Sequence, residues 1–273
     1  MDQSYPAPTH QRSKGTIHLT AQAPARLHTL HQSGCLRALF PRAEHGTLEA
    51  VLLNTAGGIT DGDILATSLH GREGAALTIT TAAAERIYRA RPGAAPAQLN
   101  VRISAAAHAR LAYLPQETIL FDQSALHRTL RIDLDTNATY LGVEMLVLGR
   151  AASGETVQHT RLHDSVQLRR AGHLLLHDAI ILGENTAQTL AGPATAAGAT
   201  AIGSLIYAAP DAASRLTALR AALHAHQVSA GATTRNDLLL ARIVAPNSQR
   251  LRAAIRAALA TLREAPLPRV WNC

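Results

Sequence analysis

The run YLGVEMLVL, Tyr140 to Leu148, limits what this chain can fold into more than any other stretch. Side chains alternate between the two faces of a strand. Leu141, Val143, Met145 and Val147 therefore fall on one face, and Glu144, Leu146 and Leu148 on the other. A strand apolar on both faces is buried on both, which requires a sheet covered by further layers. Glu144 then has no route to bulk water. A buried carboxylate must pair, take a proton or face a wet cavity, because leaving it alone costs several kcal/mol. LAYLPQETILF, Leu111 to Phe121, repeats the problem, with Glu117 on the face of Ile119 and Phe121. Two readings stay open: glutamates paired structurally with arginines, or a sheet interior that encloses a polar path.

The rest of the first two-thirds reads as strands. Leu36 to Phe40 ends at Pro41, and Leu48 to Leu53 runs into the glycine-rich Asn54 to Asp63. Leu77 and Ile79 alternate with threonines; Leu99, Val101 and Ile103 alternate with polar residues, as do Leu130, Ile132 and Leu134. That is the period of half-buried strands. Val166 to Leu168 and Leu174 to Leu182 add two more. Residues 1–15 read as a flexible tail and 183–203 as a loop, with a single domain over 16–273 that is β-rich to residue 182 and α+β from 204. In that last part Asp211 is placed to cap a helix carrying Leu216, Leu219 and Leu223, and Asn247 or Ser248 to start another carrying Leu251, Ile255, Leu259 and Leu262, ended by Pro266. The fold class is mainly β, in layered sheets, with about two helices at the C-terminal end.

Composition removes several classes of function. The 273 residues carry a net charge of +7, almost wholly from arginine, since Lys14 is the only lysine. Basic charge suits nucleic acid or an acidic partner, but aromatic residues make up only 3%, so no stacking groove for single strands is in view. Cys35 and Cys273 are too few for a disulfide framework or a thiolate metal site. No membrane span and no signal-peptide core are expected, which points to a soluble, cytoplasmic protein. The fourteen histidines are the one compositional hint of metal.

Familiar catalytic patterns fail. Asn54 to Asp63 has neither phosphate-loop pattern, and Asp61 and Asp63 would repel a phosphate. Asp61-Gly62 suits a tight turn with positive φ. There is no GxSxG, and Ser153-Gly154-Glu155 lacks an assignable base. The pairs His28 and His31, His159 and His163, and His224 and His226 form no zinc signature and read as surface residues.

Five motifs together carry a resemblance: LEAVLLNTAGGITDGD (Leu48 to Asp63), LTITTAAAERIYR (Leu77 to Arg89), LPQETILF (Leu114 to Phe121), VEMLVLGRAASGE (Val143 to Glu155) and LPRVWNC (Leu267 to Cys273). In this order they resemble the urease accessory protein D family, UreD or UreH. The resemblance implies a non-enzymatic scaffold of layered β-sheet in a superhelical, solenoid-like arrangement. It implies binding to UreF, through UreF to the GTPase UreG, and docking on apo-urease in a two-fold heteromeric complex. It also implies Ni2+ in transit through an internal water-filled passage, with no permanently bound cofactor, nucleic acid or membrane. The turn ThrAspGlyAsp departs from the family, where glycine more often precedes Gly-Asp, so Asp61 adds a carboxylate near Asp63 at the presumed entrance or sits in solvent.

The expected passage residues are Glu117 and Glu144, with Asp63 and Glu85 as weaker members and Asp61 and Gly62 as entrance candidates. Two alternatives come from other classes. A hydrolase would use paired carboxylates as acid and base, and a nucleic-acid binder would use the basic surface.

Overall fold

The computed structural model describes residues 11–42 and 46–272. Two sheets hold nearly all of the strands. The first has the order β14-β13-β11-β8-β5-β1-β2 and contains β1 (Lys14–Gln22), β2 (Arg26–Gly34), β5 (Ile64–Gly71), β8 (Ala97–Ala105), β11 (Ser124–Leu134), β13 (Thr160–Arg170) and β14 (His173–Leu182). The second has the order β16-β17-β15-β12-β9-β6-β4-β3. Its members are β3 (Leu36–Leu39), β4 (Leu48–Asn54), β6 (Ala76–Thr81), β9 (Arg110–Leu114), β12 (Thr139–Leu148), β15 (Ala201–Ala208), β16 (Ser229–Arg235) and β17 (Leu238–Ala245). Short β7 (Glu85–Ile87) and β10 (Thr118–Leu120) form a side arm on β12.

From β4 to β13 the chain shuttles between the sheets, apart from the side arm. Within each sheet the shuttled strands lie parallel: β5, β8, β11 and β13 in the first, β4, β6, β9 and β12 in the second. Antiparallel strands close both ends, β2 and β14 in the first sheet, β3 and the β15-β17-β16 ribbon in the second. This shuttling path builds the expected layered, mainly β arrangement.

Three layers result. Leu19, Leu69, Ile103 and Leu130 from the first sheet meet Ile79, Leu111 and Leu146 from the second in one apolar core. On the second sheet's far face, Leu141, Val143, Met145 and Val147 pack under α2 (Ala212–His224) and α3 (Ser248–Leu262). The second sheet is thus the middle layer, which is why β12 is apolar on both faces. The first sheet turns one face to solvent, so β1 and β11 alternate between buried and open positions. Gly203 on β15 allows the close approach of α3, since a Cβ there would lie 2.7 Å from Leu251 Cδ1.

Several expectations need correction. Leu111 to Phe121 is two strands, because Pro115 to Glu117 break the ladder between β9 and β10. The 183–203 loop contains a short helix, α1 (Thr186–Ala191), and the start of β15, while the two helices expected at the C-terminal end are α2 and α3. The tail expected over 1–15 lies mostly outside the described residues, but β1 already begins at Lys14. Asn247 caps α3, its Oδ1 accepting from the Arg250 amide at 2.9 Å. Asp211 precedes α2 without a side-chain cap, since its carboxylate is taken by Tyr207 and Arg215 at 2.6 and 2.7 Å.

Trp271 is fully buried beside α3. Its indole N–H donates to Thr80 Oγ1 at 3.2 Å and to the Leu114 carbonyl at 3.1 Å, and the Arg252 guanidinium lies 5.3 Å above the ring. The C-terminal segment therefore ties α3 to β6 and β9. Trp271→Ala should lower unfolding free energy by about 3–5 kcal/mol, while Trp271→Phe should cost a fraction of that. Unchanged denaturant midpoints for the alanine variant would refute this packing role.

Candidate functional site

The core between the sheets is mostly apolar, and its charged side chains fall along one line. On the inner face of the second sheet, Glu85 on β7 stands opposite Thr118 on β10. Glu144 on β12 stands opposite Ser204 on β15, which stands opposite Arg242 on β17. Thr118 has Leu146 as its partner on β12, so the two polar rows are offset there, and Arg128 of the first sheet joins them into one track by reaching both Thr118 and Glu144. The first sheet answers with Arg128 on β11, Asp164 on β13 and Asp178 on β14.

At the Glu85 end the track opens into a cavity of about 230 Å³, lined also by Asn54, Asn100, Tyr113, Gln116, Thr118 and Arg128. That is room for several waters. Beyond Arg128 the space narrows to a cleft of about 10 Å³ among Glu144, Asp164, Asp178, Ser204 and Arg242. That is at the limit for one water.

Arg128 sits at the junction. It and Asp164 are register partners on neighbouring parallel strands. Its Nε and Nη2 donate to the two Asp164 oxygens at 2.9 and 2.6 Å, and its Nη1 donates to Thr118 Oγ1 at 2.9 Å. Nη2 also reaches Glu144 Oε2 across the layer at 2.8 Å. All three charged residues are buried. Burial alone would lower the guanidinium's pKa, but Asp164 and Glu144 outweigh it and hold Arg128 charged. Burial shifts Glu144 upward, the Arg128 charge opposes it, and the Asp164 charge adds a smaller upward push. One cation cannot neutralise two carboxylates. Beyond the triad, Arg242 pairs with Asp178 and again bridges the sheets.

The sequence matches the family described as UreD urease accessory protein over residues 13–272. A protein named urease accessory protein UreD from Xanthobacter autotrophicus is 45% identical over 264 residues, covering 96% of this chain and 90% of its own length. Another of that name from a Methylobacterium species is 43% identical over 281 residues, covering 98% and 99%. The chain belongs to the UreD family. A third relative, urease accessory protein UreD 3 from a Bradyrhizobium species, is 40% identical over 263 residues, with 95% and 94% covered.

In this UreD family member, two of the expected passage residues lie on the track and two do not. Glu144 stands at its centre, within the triad. Glu85 lines the cavity and accepts from Asn54 Nδ2 at 3.1 Å; its enclosure raises its pKa to about 7. Glu117 turns to the helix side, because the break at Pro115 to Glu117 frees it from the sheet face, and pairs with Arg252 at 2.8 Å. Asp63 closes the turn before β5, accepting from the amides of Ser13 at 2.7 Å and Thr60 at 2.9 Å. Asp61 is buried and paired rather than solvated: Arg12 and Arg91 reach it at 2.7 and 2.9 Å. Burial opposes its ionisation, but the Arg91 amide, the Arg91 side chain and the Arg12 charge keep its pKa below the usual range. Gly62 holds φ +77°, as the turn requires.

Sequence reasoning missed Arg128, Asp164, Arg242 and Asp178. The signal was there in two of them: Arg128 interrupts the inward series Leu126, Leu130, Ile132, and Asp164 interrupts Leu162, Val166, Leu168. Among the described residues no histidine lines the cavity or the cleft; His127 stacks on His163 with ring centroids 4.7 Å apart, and His18 lies beside His31 at 5.9 Å. Glu155, at the end of the Ser153-Gly154-Glu155 stretch, pairs with Arg150 at 2.9 Å.

The raised carboxyls make stability depend on pH. A carboxyl whose folded pKa exceeds its unfolded value binds more protons when folded, so its contribution is complete below the ordinary 4.5 and is lost as pH rises towards about 7. The double variant Glu85→Gln/Glu144→Gln removes both protons from the balance. Relative to it, the wild type should lose on the order of 2 kcal/mol or more between about pH 4.5 and pH 8. Urea unfolding measures this, and parallel curves across that interval would contradict the assignment.

Proposed function

We propose that this chain acts in urease maturation as a non-enzymatic scaffold. In this reading it binds UreF, through it the GTPase UreG, and apo-urease, and Ni2+ crosses the chain along the polar track between the sheets. Family membership over nearly the whole chain supports the maturation role. The observation that carries the passage is the cavity of about 230 Å³ between two otherwise apolar sheets, with Glu85 on its wall. Its volume suits an ion that keeps most of its water. Nickel(II) accepts carboxylate and water ligands, so a carboxylate among neutral amide and hydroxyl oxygens attracts the ion while leaving it free to move on.

The test separates delivery from assembly. In cells lacking the native gene, wild-type protein should restore nickel in purified urease at limiting nickel supply. Glu85→Gln and Glu144→Gln should co-purify with UreF as the wild type does yet leave urease with several-fold less nickel. Full nickel content with both variants would exclude the track as the route. Urease that matures normally without this chain would exclude the maturation role itself.

A further inference from the structure

The cavity does not run through the protein. It ends on the Arg128 guanidinium, and only a water-sized cleft continues past it. A cation advancing from Glu85 therefore meets another cation. The seat that Arg128 fills is built for positive charge, with a carboxylate from each sheet at 2.6 and 2.8 Å. Beside it the hydroxyl of Tyr140 is fully buried and has no hydrogen-bond partner. That ring lies over Gly142 on the same face as Glu144, and the Glu144 charge bears on it.

With Arg128 in place and both acids ionised, the seat carries one net negative charge. Replacing a monovalent guanidinium by a divalent cation brings it to zero. Arginine's side chain is long and flexible, and the cavity lies directly on the Nη1 side of Arg128, next to Thr118. That cavity is the adjoining space into which the guanidinium would swing.

We propose that Arg128 is a displaceable internal cation that closes the track, and that Glu144 and Asp164 bind a divalent metal ion only when its guanidinium has swung out of the seat between them. This latch rests on the passage reading for its biological use, but its chemistry belongs to the chain alone. Arg128 is a positioning residue here: it controls access to two carboxylates and does not itself touch the metal.

The test is nickel binding by the purified full-length chain, followed by equilibrium dialysis against nickel sulfate. Arg128→Met should take up an additional ion that the wild type does not hold, at least about tenfold more tightly than any wild-type uptake. The triple variant Arg128→Met/Glu144→Gln/Asp164→Asn, neutral throughout, should return to wild-type uptake. A folded Arg128→Met with wild-type uptake overturns the proposal, as does equal uptake by the single and triple variants. Removing one partner of a buried ion pair can prevent folding. If Arg128→Met is unfolded without metal, nickel should restore its folded circular dichroism and raise its Tm by several degrees. Failure of nickel to do so while the triple variant folds also overturns the latch. Nickel content of urease in cells reads the passage separately: gained metal in Arg128→Met together with full urease nickel in Glu144→Gln would sink the passage and leave the latch standing.

Discussion

Arg128 is answered from both sheets, by Asp164 beside it and by Glu144 across the layer. Most of the apolar interface around it is leucine, isoleucine and alanine, which pack well in more than one offset. A guanidinium does not. Sliding one sheet over the other by a residue pair would leave Glu144 facing leucine and Arg128 with an unbalanced fork. Breaking a buried ion pair costs about 3–5 kcal/mol, although a well-packed apolar substitute for the whole group is often neutral or better. The triad is therefore better understood as fixing the offset of the sheets than as adding stability, and Arg242 with Asp178 repeats the constraint nearer the edge. Two cross-layer pins set both position and angle, where one would leave a pivot.

The middle sheet carries the consequences. Its inner face must hold the polar track and its outer face the helices, so neither face has room for bulky excess. Gly142 leaves space for the Tyr140 ring, and Gly203 for Leu251 of α3. With aromatics at 3%, alanine and leucine fill most of the remaining volume, and Trp271 is placed where α3, β6 and β9 meet. That residue closes the third layer by both burial and hydrogen bonding.

The layered β fold was legible because periodicity survives in single strands. A run apolar on both faces, as in β12, announces a covered sheet, and alternation in β8 and β11 announces an open one. Glu144 was found by the same rule, as a charge at an inward position. Arg128 and Asp164 obey that rule too, each one inward position before the apolar runs that begin at Leu130 and Val166. Glu117 shows the converse failure: a proline two residues earlier breaks the strand and turns the side chain to the helix side. Asp63 could not be separated from a passage residue by sequence, since a turn-closing aspartate and a lining aspartate look alike until the amides of Ser13 and Thr60 are in place. The strand β17 was legible as the apolar run Leu238 to Val244, whereas β16 and α1 are short and built of small, mostly polar residues that carry no clear period.

The charges on the track do not balance, and the imbalance has a direction. Glu85, Glu144, Asp164 and Asp178 face Arg128 and Arg242. Asp164 and Asp178 each hold a guanidinium closely, whereas Glu85 has an amide and Glu144 shares Arg128. It is these last two whose pKa values burial pushes upward. On the passage reading proposed above, such groups shed a proton when a metal cation arrives and recover it when the ion leaves. A permanently ionised pair would trap a divalent cation, and a neutral lining would repel it by desolvation. Carboxyls poised close to neutrality avoid both outcomes, and what poises them is the apolar packing of the two sheets around them.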